Sequence, residues 1–398
     1  MEKISYAKTV YGKEEMDAVL KCLSESTQMG NYSRKFEAKI AELFDKKECL
    51  YVNSGSSALY LGIEALNFPE GSEIITPALT FGTTVASIVK NKLIPSFVDV
   101  EPLSYCIDTN LIEREITNKT VAIMAVNLMG NICNWPEIRK IANKHNLIVI
   151  EDSADTLGAK IDGHRSGFYS DMSITSFYGS HIINCAGNGG ALALNDPEAI
   201  KKAKLLRSWG RSSSLFDEKS EDIENRFNVS LEGIDYDAKF VFETLGYNLE
   251  GNEMGAAFGL AQLENLNANI LVRQKNFLIQ SEFFDQYKSY FSTPIEAKNV
   301  ETAWLAYPIL ISETAPFKRK DLQIFLEKKN IQTRVVFTGN ILRQPMMKNV
   351  QYKSTKLGYP NSDAVMERGL LLPVHHGLTD DMLKRLHREF ESFISSTK

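Results

Sequence analysis

The chain has 398 residues, 43% of them apolar and 24% charged, enough to bury a large core and to divide into two domains. Its formal net charge of −5 argues against a nucleic-acid partner, which calls for a basic face. An anionic ligand would have to be met by local groups such as Arg207, Arg211 or Arg343.

The N-terminus lacks an apolar core of signal-peptide length, and no run approaches membrane-spanning length. Five dispersed cysteines without a C-x-x-C pair suit reduced thiols in the cytoplasm better than a disulfide framework or a metal site.

In chain order, E-C-L-Y-V-N (48–53) predicts a strand and S-S-A-L-Y-L-G-I-E-A-L (56–66) a helix. E-I-I-T-P (73–77), I-P-S-F-V-D-V (94–100) and V-A-I-M-A-V-N-L (121–128) predict further strands. A helix follows, with Asn134 as its cap and Pro136 in its first turn. L-I-V-I-E-D (147–152) and M-S-I-T-S-F (172–177) read as buried strands, and Gly189-Gly190 opens the run A-L-A-L. This alternation predicts an α/β fold with a mainly parallel sheet covered on both faces. Residues 212–240 turn polar but are punctuated by Phe216, Phe227, Tyr236 and Phe240, which suits an excursion near the site or a subunit contact. The helix E-M-G-A-A-F-G-L-A-Q-L-E-N-L (253–266) carries small residues for close packing. The expected division is a large domain over 1–267, with its N-terminal segment lying on a smaller α+β domain over 268–398.

Three stretches carry chemistry. Y-V-N-S-G-S-S-A (51–58) places a glycine turn at a helix start, where free N–H groups with the Ser56 and Ser57 hydroxyls suit a phosphate; a plain serine cap gives the same pattern. In I-V-I-E-D-S-A-D (148–155), Asp152 ends a buried parallel strand, where open α/β sheets bind ligands; capping the next helix is its plainer role. In P-A-L-T-F-G-T-T (77–84), Phe81 suits stacking on a flat ring, or core packing.

Together with T-Q-M-G-N-Y-S-R-K-F-E (27–37) and G-Y-N-L-E-G-N-E-M-G-A-A-F-G-L-A-Q-L (246–263), these stretches make the chain resemble, over essentially its whole length, a known family. This is the fold-type I, PLP-dependent sugar aminotransferases of the DegT/DnrJ/EryC1/StrS family, which act on nucleotide-linked keto-sugars. The resemblance implies a large cofactor-binding domain over 1–267. It puts Gly55, Ser56, Ser57 and Ser176 at the cofactor phosphate, Phe81 on the ring and Asp152 at the pyridine nitrogen. Asn248 matches an asparagine that reaches the neighbouring subunit's cofactor, which implies a homodimer with shared sites.

The family carries S-F-x-x-x-K followed by G-E-G-G, whereas here S-F-Y-G-S-H (176–181) puts His181 at the lysine position. The chain is similar in this to the PMP-dependent nucleotide-sugar 3-dehydratases, as it is in L-R-S-W-G-R (206–211) and I-Q-T-R-V-V-F-T-G-N-I-L-R-Q-P (331–345). The loop after His181 is about one residue longer than the family pattern, and Asn188 replaces the usual glutamate. Ser153, Ala154 and 211–216 lack the cysteines that hold a [2Fe–2S] cluster in the CDP-sugar members, so no iron–sulfur cluster is expected.

A lysine forms a Schiff base with PLP; a histidine cannot, and leaves PMP as a non-covalent ligand. With an ordinary pKa near 6.5, His181 can take a proton at neutral pH. The resemblance thus implies loss of the C3 hydroxyl from a nucleotide-linked 4-keto-6-deoxy sugar, with glutamate as the amino donor that restores PMP. Arg207, Arg334, Asn340 and Arg343 are candidate substrate contacts, each equally readable as a surface charge or turn cap. Two other readings stay open: a sugar-nucleotide aminotransferase, and a catalytically silent relative that binds sugar nucleotides.

Overall fold

The fully apolar runs become strands buried on both faces. In the computed structural model, which describes residues 2–216 and 223–397, they are β1 (Glu48–Val52), β2 (Glu73–Pro77), β3 (Ile94–Val98), β4 (Thr120–Val126) and β5 (Ile148–Asp152). A small hairpin, β6 (Lys160–Ile161) and β7 (His164–Arg165), precedes β8 (Met172–Ser176) and β9 (Gly190–Leu194). An exposed hairpin follows, β10 (Val229–Leu231) and β11 (Ile234–Tyr236). Last come β12 (Phe291–Ser292), β13 (Val300–Glu301), β14 (Tyr307–Ile311), β15 (Lys353–Ser354) and β16 (Gly369–Leu372).

The first helices are α1 (Lys13–Glu25), α2 (Asn31–Leu43), α3 (Gly55–Leu66), α4 (Gly82–Lys90), α5 (Thr109–Glu115) and α6 (Trp135–His145). They are followed by α7 (Pro197–Arg207), α8 (Ile223–Phe227), α9 (Glu253–Glu264), α10 (Leu266–Phe284), α11 (Arg319–Lys328), α12 (Pro360–Arg368) and α13 (Asp380–Ser396). Asn134 caps α6 as its sequence predicts, its side chain accepting the Glu137 N–H at 3.3 Å.

The main sheet has eight strands in the order β1-β9-β8-β5-β4-β2-β3-β15. All run parallel except β9, which is antiparallel to both its neighbours, β1 and β8. Successive strand residues point to opposite sides. Ile74, Met124 and Ile150 meet α3 and α7 through Leu59, Ala203 and Leu206. Their neighbours Ile75, Ile123 and Val149 meet α5 and α6 through Ile112, Trp135 and Ile138. Near the β1 edge, Cys49, Tyr51 and Ala191 pack on Phe36, Ile40 and Ala256 of α2 and α9. Burial on both faces is why these strands read as continuous apolar runs.

A second core is built around the sheet β12-β14-β16, with Phe277, Phe284, Trp304, Tyr307, Leu371 and Phe390 at its centre. Ile4 is buried in it and bridges to Ile331, while Leu79 and Val126 bring the ends of β2 and β4 into the same cluster. The expected boundary at 267/268 falls inside α10, and β13 and β15 pair back onto β6 and β3. In the polar excursion over 212–240, residues 217–222 lie outside the described residues. Phe216, Phe227, Tyr236 and Phe240 are exposed. No helix among the described residues is long and apolar enough to cross a membrane.

Candidate active site

The parallel strands all end on one edge of the sheet, and their following loops bring distant residues together there. β1 runs into Asn53 and Ser54, and α3 starts at Gly55, so its first-turn N–H groups lack intrahelical acceptors. Ser54 caps the helix by accepting the Ser57 N–H at 3.1 Å, and the Ser57 hydroxyl donates to Asn53 Oδ1 at 2.6 Å. Ser56 points across the cleft, its hydroxyl 3.0 Å from that of Thr83 in the first turn of α4. A Cβ placed on Gly55 would lie 2.8 Å from the Ser176 Cβ. Only glycine lets the ends of β1 and β8 meet this closely. The structure thus joins Gly55, Ser56 and Ser176, and adds Thr83, in a hydroxyl- and N–H-rich cradle at two helix N-termini.

Asp152, at the end of β5, is buried. Its Oδ2 accepts the Thr84 hydroxyl at 2.9 Å, and its Oδ1 accepts the Ala154 N–H at 3.2 Å. Burial raises the carboxyl pKa to about 6; these two donors hold it down, and the Glu151 charge adds to the rise. Phe81, the residue before α4, is 52% exposed and therefore not a core side chain. Three residues on, Thr84 supplies the carboxylate's hydroxyl donor, a role its sequence gave no sign of beyond its place in P-A-L-T-F-G-T-T. Asp155 is a second buried carboxyl, accepting the Met129 N–H at 2.9 Å; burial, with Asp152 nearby, raises it to about 7.

His181 lies on the loop between β8 and β9. The loop is closed by Phe177 N–H to Gly189 O at 2.9 Å and Gly179 N–H to Gly187 O at 3.0 Å. The His181 Nδ1 is 3.2 Å from the Ser176 carbonyl, and the Tyr178 ring stands edge-on at 6.0 Å. Burial lowers the imidazole pKa to about 4, against the pull of the Ser176 and Ala154 carbonyls. The ring is therefore neutral at pH 7 and sits between the residues flanking the cradle and the buried acid. Asn188 is exposed, and the loop takes left-handed backbone at Ala186 (φ 54°) and Gly187 (φ 109°).

The other expected site residues fall elsewhere. Asn248 is exposed, and its backbone bridges to Ser208 near the end of β1. Arg207 is not a cleft residue: it is 9% exposed, and its guanidinium donates to Glu37 at 2.6 Å and to the Tyr51 carbonyl at 3.2 Å. The inward-pointing last turn of α7 thus has this side chain join α2 to β1. Asn340 is likewise buried, donating to Asp363 at 2.7 Å and accepting the Leu342 N–H. Arg343 forks onto the same Asp363 at 2.5 and 2.7 Å. Arg334 is exposed, donates to the Thr333 carbonyl and lies over the Tyr6 ring.

Comparison with known proteins follows the same lines. The model of the DegT/DnrJ/EryC1/StrS aminotransferase family matches residues 10–391. The chain is 34% identical to the lipopolysaccharide biosynthesis protein RfbH of Salmonella typhimurium, over 96% of this chain and 90% of that one. It is 33% identical to the dTDP-4-dehydro-2,6-dideoxy-D-glucose 3-dehydratase of Saccharopolyspora spinosa, over 92% and 81%. Among solved structures, the E. coli GDP-4-keto-6-deoxy-D-mannose-3-dehydratase with bound hydrated PLP superposes with a TM-score of 0.86 at 28% identity, covering 98% and 99% of the two chains.

Proposed function

The chain belongs to the DegT/DnrJ/EryC1/StrS aminotransferase family, and from that premise we propose that it is a PMP-dependent 3-dehydratase of a nucleotide-linked 4-keto-6-deoxyhexose. What supports this reading is His181, which the motif resemblance puts where family members carry the PLP lysine, and whose Nδ1 lies 3.2 Å from the Ser176 carbonyl on the β8–β9 loop. The similarity to two nucleotide-sugar 3-dehydratases supports it.

The residues present fit PMP. The N-terminus of α3 with Gly55, Ser56 and Ser176 offers donors to a phosphate. Asp152 is a buried carboxyl with no cation against it among the described residues, so a protonated pyridine nitrogen would offset the cost of its ionisation. Phe81 offers an exposed ring to the cofactor's face. When bound, PMP supplies an amine for the sugar C4 ketone and a conjugated ring that accepts electron density.

Within that frame His181 would be the residue that takes the proton from C4′ and delivers one to the departing C3 hydroxyl, which would leave as water. The expected product would be a 4-keto-3,6-dideoxy sugar, with ammonia as co-product and glutamate as the amino donor. Asn248, exposed beside the end of β1, reaches the cofactor phosphate of a second copy in a homodimer.

The test offers 4-keto-6-deoxy sugars on GDP, CDP, dTDP and UDP to the protein with PMP and glutamate. Ammonia and a C3-deoxygenated ketone are expected. A 4-amino sugar that keeps its C3 hydroxyl would make the chain an aminotransferase. Borohydride followed by denaturation should leave the cofactor free of the chain. His181→Asn should retain PMP and slow C4′ hydrogen exchange by about 10²–10⁴-fold; exchange at the wild-type rate assigns the base elsewhere.

A further inference from the structure

The stretch I-Q-T-R-V-V-F-T-G-N-I-L-R-Q-P stands out in the sequence, yet its polar side chains, Asn340 and Arg343 above all, turn to partners within the chain. The residue that this segment presents at the Phe81 side of the cleft is Phe337. Its ring meets Phe81 edge to face, with centroids 6.1 Å apart and planes at 84°. Phe337 is also packed against the C-terminal core. Among the described residues Phe337 is the aromatic partner of Phe81, which is otherwise half open to solvent.

The backbone around Phe337 is held in place from several directions. Thr338 donates its hydroxyl to the Thr80 carbonyl at 2.6 Å, next to Phe81, and Ile341 N–H donates to Ala78 O at 2.9 Å. Gln344 donates to the Thr338 carbonyl at 2.7 Å, and Asn340 bridges to Leu79. Phe337 itself has φ 46°, a left-handed conformation that is costly for a bulky aromatic and persists only where its surroundings over-determine it.

We propose that Phe337 is a positioning residue: it fixes the tilt of the Phe81 ring and so tunes how tightly the pyridine ring of PMP is held. The inference rests on the reading that Phe81 covers that ring. It requires no particular reaction, so it holds for a dehydratase and an aminotransferase alike.

The test measures PMP dissociation constants by fluorescence titration, with visible circular dichroism of the bound cofactor, for wild type, Phe337→Ala, Phe337→Tyr and Phe81→Leu, singly and in the Phe81→Leu/Phe337→Ala pair. Phe337→Ala should weaken PMP by about 3- to 10-fold, the range of an edge-to-face ring pair, and alter the dichroism. Phe337→Tyr should restore both. On the Phe81→Leu background, Phe337→Ala should add no further loss, because Phe337 acts through Phe81. Binding within twofold of wild type in Phe337→Ala, or losses that multiply in the double variant, would overturn the proposal. If Phe337→Ala does not fold, Phe337→Leu on both backgrounds supplies the same cycle. A wild-type chain that takes up no PMP would instead remove the site reading, and this inference with it.

Discussion

Thr84→Val isolates the support beneath Asp152. The exchange keeps the side-chain shape and removes only the hydroxyl that donates to Asp152 Oδ2 at 2.9 Å. A hydrogen bond to a charged group is worth about 1.5–3 kcal/mol, and 1.36 kcal/mol corresponds to one pKa unit. Losing this donor should therefore raise the Asp152 pKa, already lifted to about 6 by burial, by about one to two further units. The ionised carboxylate is the form that pairs with a pyridinium, so PMP affinity should fall on the acid side of that pKa. The midpoint of this acid limb should then move from near 6 toward 7 or 8 in Thr84→Val. Thr84→Ser should keep it in place. The assay is PMP affinity against pH from 5 to 9, read by cofactor fluorescence. If the Thr84→Val midpoint coincides with that of wild type, Thr84 does not support the carboxylate and the assignment of Asp152 to the ring nitrogen loses its basis.

Arg207→Met should act on stability and leave substrate affinity alone. Removing one partner of a largely buried ion pair costs about 3–5 kcal/mol, so denaturant unfolding should shift while the KM for the nucleotide sugar stays within twofold. A raised KM with unchanged stability would return Arg207 to the substrate. A third prediction concerns acid. His387 is stacked on Phe283 at 3.9 Å and hydrogen-bonded to Gln280, and burial lowers its pKa to about 4. The unfolded chain takes up this proton below about pH 6.5 and the folded chain does not. The contribution is thus intact above pH 6.5 and is lost as pH falls toward 4, reaching about 2–3 kcal/mol. The difference between wild type and His387→Gln should show this slope and separates it from Asp152 and Asp155, whose raised pKa values act in the opposite sense. Parallel stability curves would refute the His387 assignment.

The strands were legible because burial on both sheet faces leaves an unbroken apolar run, and the cap of α6 because Asn134 and Pro136 are local signals. The nearness of Gly55, Ser56 and Ser176 follows from local signals too: a helix start just after β1 and the last residue of β8. The long-range polar partners were not. Nothing in the sequence around Arg207 points to Glu37, 170 residues away, or around Asn340 to Asp363. An arginine looks the same in sequence whether its helix turn faces solvent or the core. Thr84 escaped notice for a related reason, since a threonine in a first helical turn has many ordinary roles. The addition of β15 to the large sheet had no signal either, since it pairs through only two residues.

The reversed strand β9 also bears on how such a site changes over evolutionary time. Because β9 returns directly beside β8, the segment from Phe177 to Gly189 leaves and re-enters the sheet at adjacent points, with Ser176 opposite Gly190 and Gly190 opposite Val52. It is an appendage whose two ends are clamped by the ladder on either side. An inserted residue lengthens the appendage without re-registering any strand, and closure entropy grows only slowly with length. Within it, Ala186 and Gly187 take left-handed backbone. Gly55, Ser56, Thr83 and the buried Asp152 sit on other strand ends, and Ser176 is held in the β8–β9 ladder just before the appendage begins. A change of residue or of length between Phe177 and Gly189 is thus one the flanking ladder tolerates while β1, β8 and β9 keep their register.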